Sequence, residues 1–186
     1  FSMEANVLFP KTPSTYQDTV FLTEPATVTA SVFGSRQALY GSPTTVPAGD
    51  QANMSVRVIK IDNTARFQLS SSIGGSGFVL ESDRFYDVYD NSMWNLSVRV
   101  KYNAEPFSDV FSSQNYTVEF NGYNHIQDIQ QNSFALSTTV NNQPGAEFVE
   151  IDKRLYAGAE RENVTGALQN RANMKLLSLR AWADYI

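Results

Sequence analysis

The sequence predicts an all-β protein, an antiparallel sandwich of two sheets, on three observations. The first is period-two alternation. Met93–Tyr102 (MWNLSVRVKY) puts Trp94, Leu96, Val98, Val100 and Tyr102 on one face and Asn95, Ser97, Arg99 and Lys101 on the other, the pattern of a strand with one buried side. The second is punctuation: Gly41-Ser42-Pro43, Pro47-Ala48-Gly49-Asp50, Gly74-Gly75-Ser76-Gly77, Asn121-Gly122 and Asn141-Asn142-Gln143-Pro144-Gly145 are turn chemistry at short intervals. The third is the scarcity of helix signals. Only Gly166–Leu177 (GALQNRANMKLL) is a candidate for a helical turn, and it reads equally well as a loop before a last strand. About eleven or twelve short strands fit this spacing.

The elements follow in order. Ala26–Gly34 (ATVTASVFG) and Met54–Ile61 (MSVRVIKI) are rich in the β-branched residues that favour strands. Asp62-Asn63-Thr64-Ala65 is a tight turn that joins the second of these to Ala65–Ser71 (ARFQLSS) as a hairpin, with Ala65, Phe67 and Leu69 facing inward. After Met93–Tyr102 come Asn115–Asn121, with Tyr116, Val118 and Phe120 inward and Asn121-Gly122 as the turn that ends it, and Ser133–Val140, with Phe134, Leu136 and Val140 inward. Thr44–Gln51 and Asn141–Phe148 read as exposed loops within the domain.

The 186 residues are expected to form a single domain, residues 1–186, that buries about two-thirds of its unfolded surface. A net charge of −5 argues against nucleic acid as a partner, because phosphates require a basic footprint. The absence of cysteine excludes disulfides and thiolate chemistry and favours a microbial or viral origin. No apolar run is long enough to cross a bilayer, so membrane insertion is not expected. The chain opens on Phe1 and closes inside a strand-like run, and we read it as a segment of a longer polypeptide.

Candidate chemistry is sparse. Sugar hydrolases built on β-sandwiches use paired carboxylates. Val149–Tyr156 offers Glu150 and Asp152 but has Leu155 where a third carboxylate belongs, and Val79–Asp87 offers Glu81 and Asp83 with Tyr86 in that place. His125 is the only histidine, too few for a His-rich zinc site, and reads as a surface or loop residue. No nucleophile elbow or phosphate loop is present. Asp87, Asp90 and Asn91 cluster in a short loop before the strongest strand. Such oxygen donors suit calcium and are equally ordinary turn chemistry, so a metal is left open and no other cofactor is expected. Tyr86, Tyr89 and Tyr123 fall in predicted loops, where exposed rings can stack on sugar faces. Four Asn-x-Ser/Thr sequons, at Asn53, Asn95, Asn115 and Asn163, matter only in a secretory route.

The C-terminal half adds a resemblance. Met93–Tyr102 resembles the strand of laminin G-like domains that opens on a Trp, Tyr116–Asn124 resembles the strand after it, and Asn132–Ser137 follows as the next core strand. Lys153–Leu168, which contains YAGAERENVTGAL, resembles the glycine-bounded hairpin of that family, and Lys175–Ile186 its closing strand. The resemblance runs from about Phe67 onward. It implies a concanavalin A-like jelly roll, and Tyr156–Leu168 together with Leu179–Ile186 (YAGAERENVTGAL and LRAWADYI) is also similar to laminin G-like modules in structural proteins of marine bacteriophages. The closing strand lacks the family's paired carboxylates.

These readings lead to a non-catalytic binding or adhesion module of a larger surface or virion protein, extracellular or on the virion, recognising a glycan through Tyr86, Asp87, Tyr89, Asp90, Asn91 and Tyr123. The alternatives are a purely structural capsid, tail or fibre component that packs against neighbouring proteins or copies of itself, and a concanavalin A-like glycoside hydrolase. Within the hairpin, Leu155, Tyr156, Val164 and Leu168 are expected to anchor to the core, and Glu160, Arg161 and Glu162 to be solvated at its tip.

Overall fold

The computed structural model describes residues 1–11, 27–38, 52–73, 77–103, 114–126, 129–161 and 167–184. The described residues hold thirteen strands and one helix: β1 (Ser2–Phe9), β2 (Thr27–Gln37), β3 (Met54–Ile61), β4 (Thr64–Ser71), β5 (Phe78–Glu81), β6 (Phe85–Tyr86), β7 (Ser92–Tyr102), β8 (Tyr116–Ile126), β9 (Ile129–Val140), α1 (Asn142–Glu150), β10 (Lys153–Ala157), β11 (Glu160–Arg161), β12 (Leu168–Gln169) and β13 (Lys175–Trp182). They form two antiparallel sheets packed face to face. Sheet I runs β13-β1-β7-β8-β9 and sheet II runs β10-β2-β3-β4-β5, with β6 also paired to β4. The all-β sandwich expected from the alternation is what the chain forms. The turn signals at 41–43, 47–50 and 74–76 and the loop at 44–51 lie outside the described residues.

Alternation dictates the core. In β7, Trp94, Leu96, Val98 and Val100 are buried, as expected, while Tyr102 is exposed at the strand end beside Tyr116, ring centroids 5.0 Å apart. Ala65, Phe67 and Leu69 of β4 and Val118 and Phe120 of β8 face them or flank them. Phe67 of sheet II meets Trp94 of sheet I at 4.6 Å between centroids, and Phe120 meets Phe134 edge-on at 4.9 Å. Burying each such ring contributes about 1.5–3 kcal/mol. β1 was not among the predicted strands, although Met3, Ala5, Val7 and Phe9 alternate and are all buried. It lies between β7 and β13, in register Met3↔Val98 and Met3↔Ala181.

Two local expectations fail. Asn121-Gly122 does not end a strand. It runs through the middle of β8, where Gly122 pairs with Leu96 and Phe134. A Cβ at Gly122 would overlap the Phe134 ring, so the glycine serves close packing and not a turn. Asn141–Phe148 is not a loop, since Asn142–Glu150 is helical with Phe148 wholly buried. Pro144 stands in the first turn, where its missing N–H is no loss, and Gly145 lets the helix lie directly on Tyr116. The Asp62-Asn63 hairpin is as expected, with β3 and β4 in register Ile61↔Thr64 and Asp62 in the left-handed region at φ 53°.

The YAGAERENVTGAL segment is a hairpin, β11 pairing with β12 in register Glu160↔Gln169, and Gly158 takes φ 76° at its entry. Its anchoring differs from expectation. Leu155 and Leu168 are exposed, Tyr156 is half-buried and Val164 lies outside the described residues. Glu160 is not at a solvated tip. It is 2 % exposed, ion-paired with Arg36, and its second oxygen lies 3.6 Å from Arg57. Beyond the end of β10, the Ser31 N–H donates to the Asn170 carbonyl (2.7 Å) and the Gly158 N–H to the Val32 carbonyl (2.8 Å). The returning chain thus satisfies the edge of β2 that β10 leaves open, and in doing so carries Glu160 onto the outer side of sheet II.

Candidate functional site

The loop between β6 and β7 is built as a two-sided turn. Asp87 (φ 56°) and Asn91 (φ 58°) both occupy the left-handed region, which Asp and Asn tolerate better than other side chains. Between them, Val88 is buried and Tyr89 packs on Phe9 with centroids 5.2 Å apart. The Ser92 hydroxyl donates to the Val88 carbonyl (2.6 Å) and accepts from the Trp94 indole N–H (3.1 Å). The core tryptophan is therefore tied to the loop that precedes it. Tyr89 was expected to be exposed. It instead anchors the turn, and burial pushes its hydroxyl well above the usual phenol range.

With Val88 and Tyr89 drawn inward, Asp87, Asp90 and Asn91 are left outward. Asp90 forms an ion pair with the Lys11 ammonium at 2.8 Å, which holds that lysine above its ordinary value, and the Asn91 side-chain oxygen accepts the Lys11 backbone N–H at 3.1 Å. Opposite stands the β8–β9 hairpin, whose register shifts between Asn124 and His125. Asn124 is buried and its side-chain oxygen accepts the Asn132 N–H at 2.9 Å, which fixes the hairpin end.

The two segments enclose a groove of about 640 Å³. Arg84, Tyr86, Asp87, Asp90 and Asn91 line one wall, and Asn124, His125, Gln131 and Asn132 the other. Tyr86 is 68 % exposed. Four of the six residues singled out from the sequence thus share one groove. Tyr89 lies behind it in the core. Tyr123 is not in a loop but on the outer face of β8, its ring 5.1 Å from that of His125 and outside the groove lining. The sequence reading missed Asn124, Asn132 and Arg84, and gave His125 no role. Asn132 joins the groove because the bulge re-aims the hairpin end, a shift that alternation alone does not display.

Among the described residues no group of three or more His, Cys, Asp or Glu comes together as a metal-holding cluster. The other carboxylates of interest are dispersed. Glu150 ends α1 and Asp152 lies in the short link to the edge strand β10, both exposed, and not on a concave sheet face. Glu81 accepts from Gln68 (2.6 Å) and pairs with Arg66 (2.7 Å) on the outer side of sheet II. Among the described residues no helix is long and apolar enough to cross a membrane. No family model matches the chain, and no curated protein or solved structure is similar enough to be paired with it.

Proposed function

We propose that this domain is a non-catalytic binding module that recognises a saccharide in the groove between the β6–β7 loop and the β8–β9 hairpin. The observation that carries the reading is the pairing of one exposed aromatic ring, Tyr86, with a wall of amides and carboxylates. A sugar presents an apolar face to a ring and hydroxyls to Asn and Asp, so both kinds of group are needed in one concavity. The groove's volume of about 640 Å³ lies within the usual range of small-ligand sites. The laminin G-like resemblance points the same way and suits a module carried on an extracellular or virion surface within a larger assembly.

The test is titration of the whole chain against a panel of neutral oligosaccharides, with and without calcium. Tyr86→Ala is expected to weaken binding about tenfold, equivalent to about 1.4 kcal/mol of lost stacking. Binding that is indifferent to Tyr86→Ala rejects this groove as the site. Silence across the panel rejects this groove as a saccharide site.

A further inference from the structure

A second concavity, of about 770 Å³, lies where β10 forms the edge of sheet II, and its chemistry is of a different kind. Arg36, Arg154 and Arg171 line it together with Tyr156, Leu155 and Leu168, and among the described residues no Asp or Glu lines it. In a chain of net charge −5 this is a local inversion of sign. The groove between the β6–β7 loop and β9 carries both signs by contrast.

Arg154 sits directly opposite Arg36 in the β10–β2 ladder, and like charges placed directly opposite destabilise a sheet. Glu160 compensates on one side only, by pairing with Arg36 and approaching Arg57. Among the described residues no carboxylate lies within ion-pair distance of Arg154 or Arg171. Two planar donor forks are left facing a concavity. Around them stand Leu155 and Leu168, 40 % and 42 % exposed, and a stretch of small residues, Ala157 to Ala159. The Ala172 N–H donates to the Gly158 carbonyl at 2.8 Å and ties two of the walls together. That favours a compact ligand over an extended peptide. A guanidinium fork matches carboxylate and sulfate geometry, and apolar walls suit the ring that bears them.

We propose that this groove at the β10 edge binds an anionic saccharide, its carboxylate or sulfate group held by Arg154 and Arg171 and its ring laid against Leu155 and Leu168. It is separate from the groove assigned to neutral saccharide and shares no lining residue with it.

The experiment is calorimetric titration of the whole chain with a galacturonate trimer, a sulfated disaccharide, a neutral trisaccharide, free galacturonate and a tetra-aspartate peptide. Binding of the trimer or the sulfated disaccharide is expected, weakening as salt is raised. Arg154→Gln and Arg171→Gln are each expected to lower affinity about tenfold, with unfolding midpoints unchanged, while Arg180→Gln on β13 leaves it as it was. The proposal is overturned if no anionic saccharide binds, if the neutral trisaccharide binds equally well, or if free galacturonate or the peptide binds as tightly as the oligosaccharides. It is also overturned if the double variant Arg154→Gln/Arg171→Gln, folded, binds undiminished.

Discussion

Glu160 is the residue on which the C-terminal hairpin turns. Its carboxylate is sealed between two guanidiniums, and removing one partner of a buried ionic group leaves the others without compensation. Glu160→Gln is therefore expected to destabilise the domain by about 3 kcal/mol, read as a lower midpoint in urea unfolding at unchanged slope. A loss under 1 kcal/mol would mean that solvent reaches the pair. None of this was legible from the sequence. Glu160 lies in a run of charges between two glycines, which reads as a solvated tip, and only the path of the chain back along the open edge of β2 takes it under cover. The same limit applies to Tyr89 and Tyr86. Two tyrosines three positions apart in one loop look alike in sequence, yet the turn drives one onto Phe9 and leaves the other in water.

At the scale of elements, β4 and β7 were legible from alternation and β3 from its β-branched residues, whereas β1 was passed over although Met3, Ala5, Val7 and Phe9 alternate through it. Elsewhere polar or small residues broke the alternation. Gly122 mimics a turn because its packing against Phe134 depends on the next strand, which no local window contains. Helix α1 was hidden by Pro144 and Gly145, both usually helix breakers. It ends under an unusual cap: the Lys153 ammonium donates to the carbonyls of Val149 (3.2 Å) and Ile151 (2.9 Å) and lies 4.6 Å from the centre of the Phe148 ring. The cation thus satisfies the helix end and the ring together. Lys153→Ala is expected to cost about 1–2 kcal/mol and to accelerate amide hydrogen exchange in 146–151 before the sheets open. Uniform acceleration across the domain would show that α1 does not unfold separately.

For the whole molecule, alkaline pH is the expected weak point. Tyr89 and Tyr156 are both held well above the ordinary phenol value of 10.0, Tyr89 by burial and Tyr156 by burial first and the nearby Glu160 second. The unfolded chain ionises these phenols near pH 10 while the fold keeps them protonated. Their contribution is complete below pH 10 and falls as pH rises above it. Burial lowers Lys153, whose contribution runs the other way over the window below 10.5. Thermal midpoints are expected to hold to about pH 10 and then drop, and Tyr156→Phe is expected to soften the drop. A flat profile to pH 12 would contradict the burial of the two hydroxyls. The pairing of β1 with β13, Ser2 against Trp182, has a consequence in time. β8 and β9 pair as a local hairpin, but β1 finds both its neighbours only across long stretches of chain and stays open on one side until β13 has been made. Closing so long a loop is slow. During synthesis the first strand must wait, edge exposed, for a partner about 170 residues later. In stopped-flow refolding, the Trp182 signal is expected to lag behind that of Trp94.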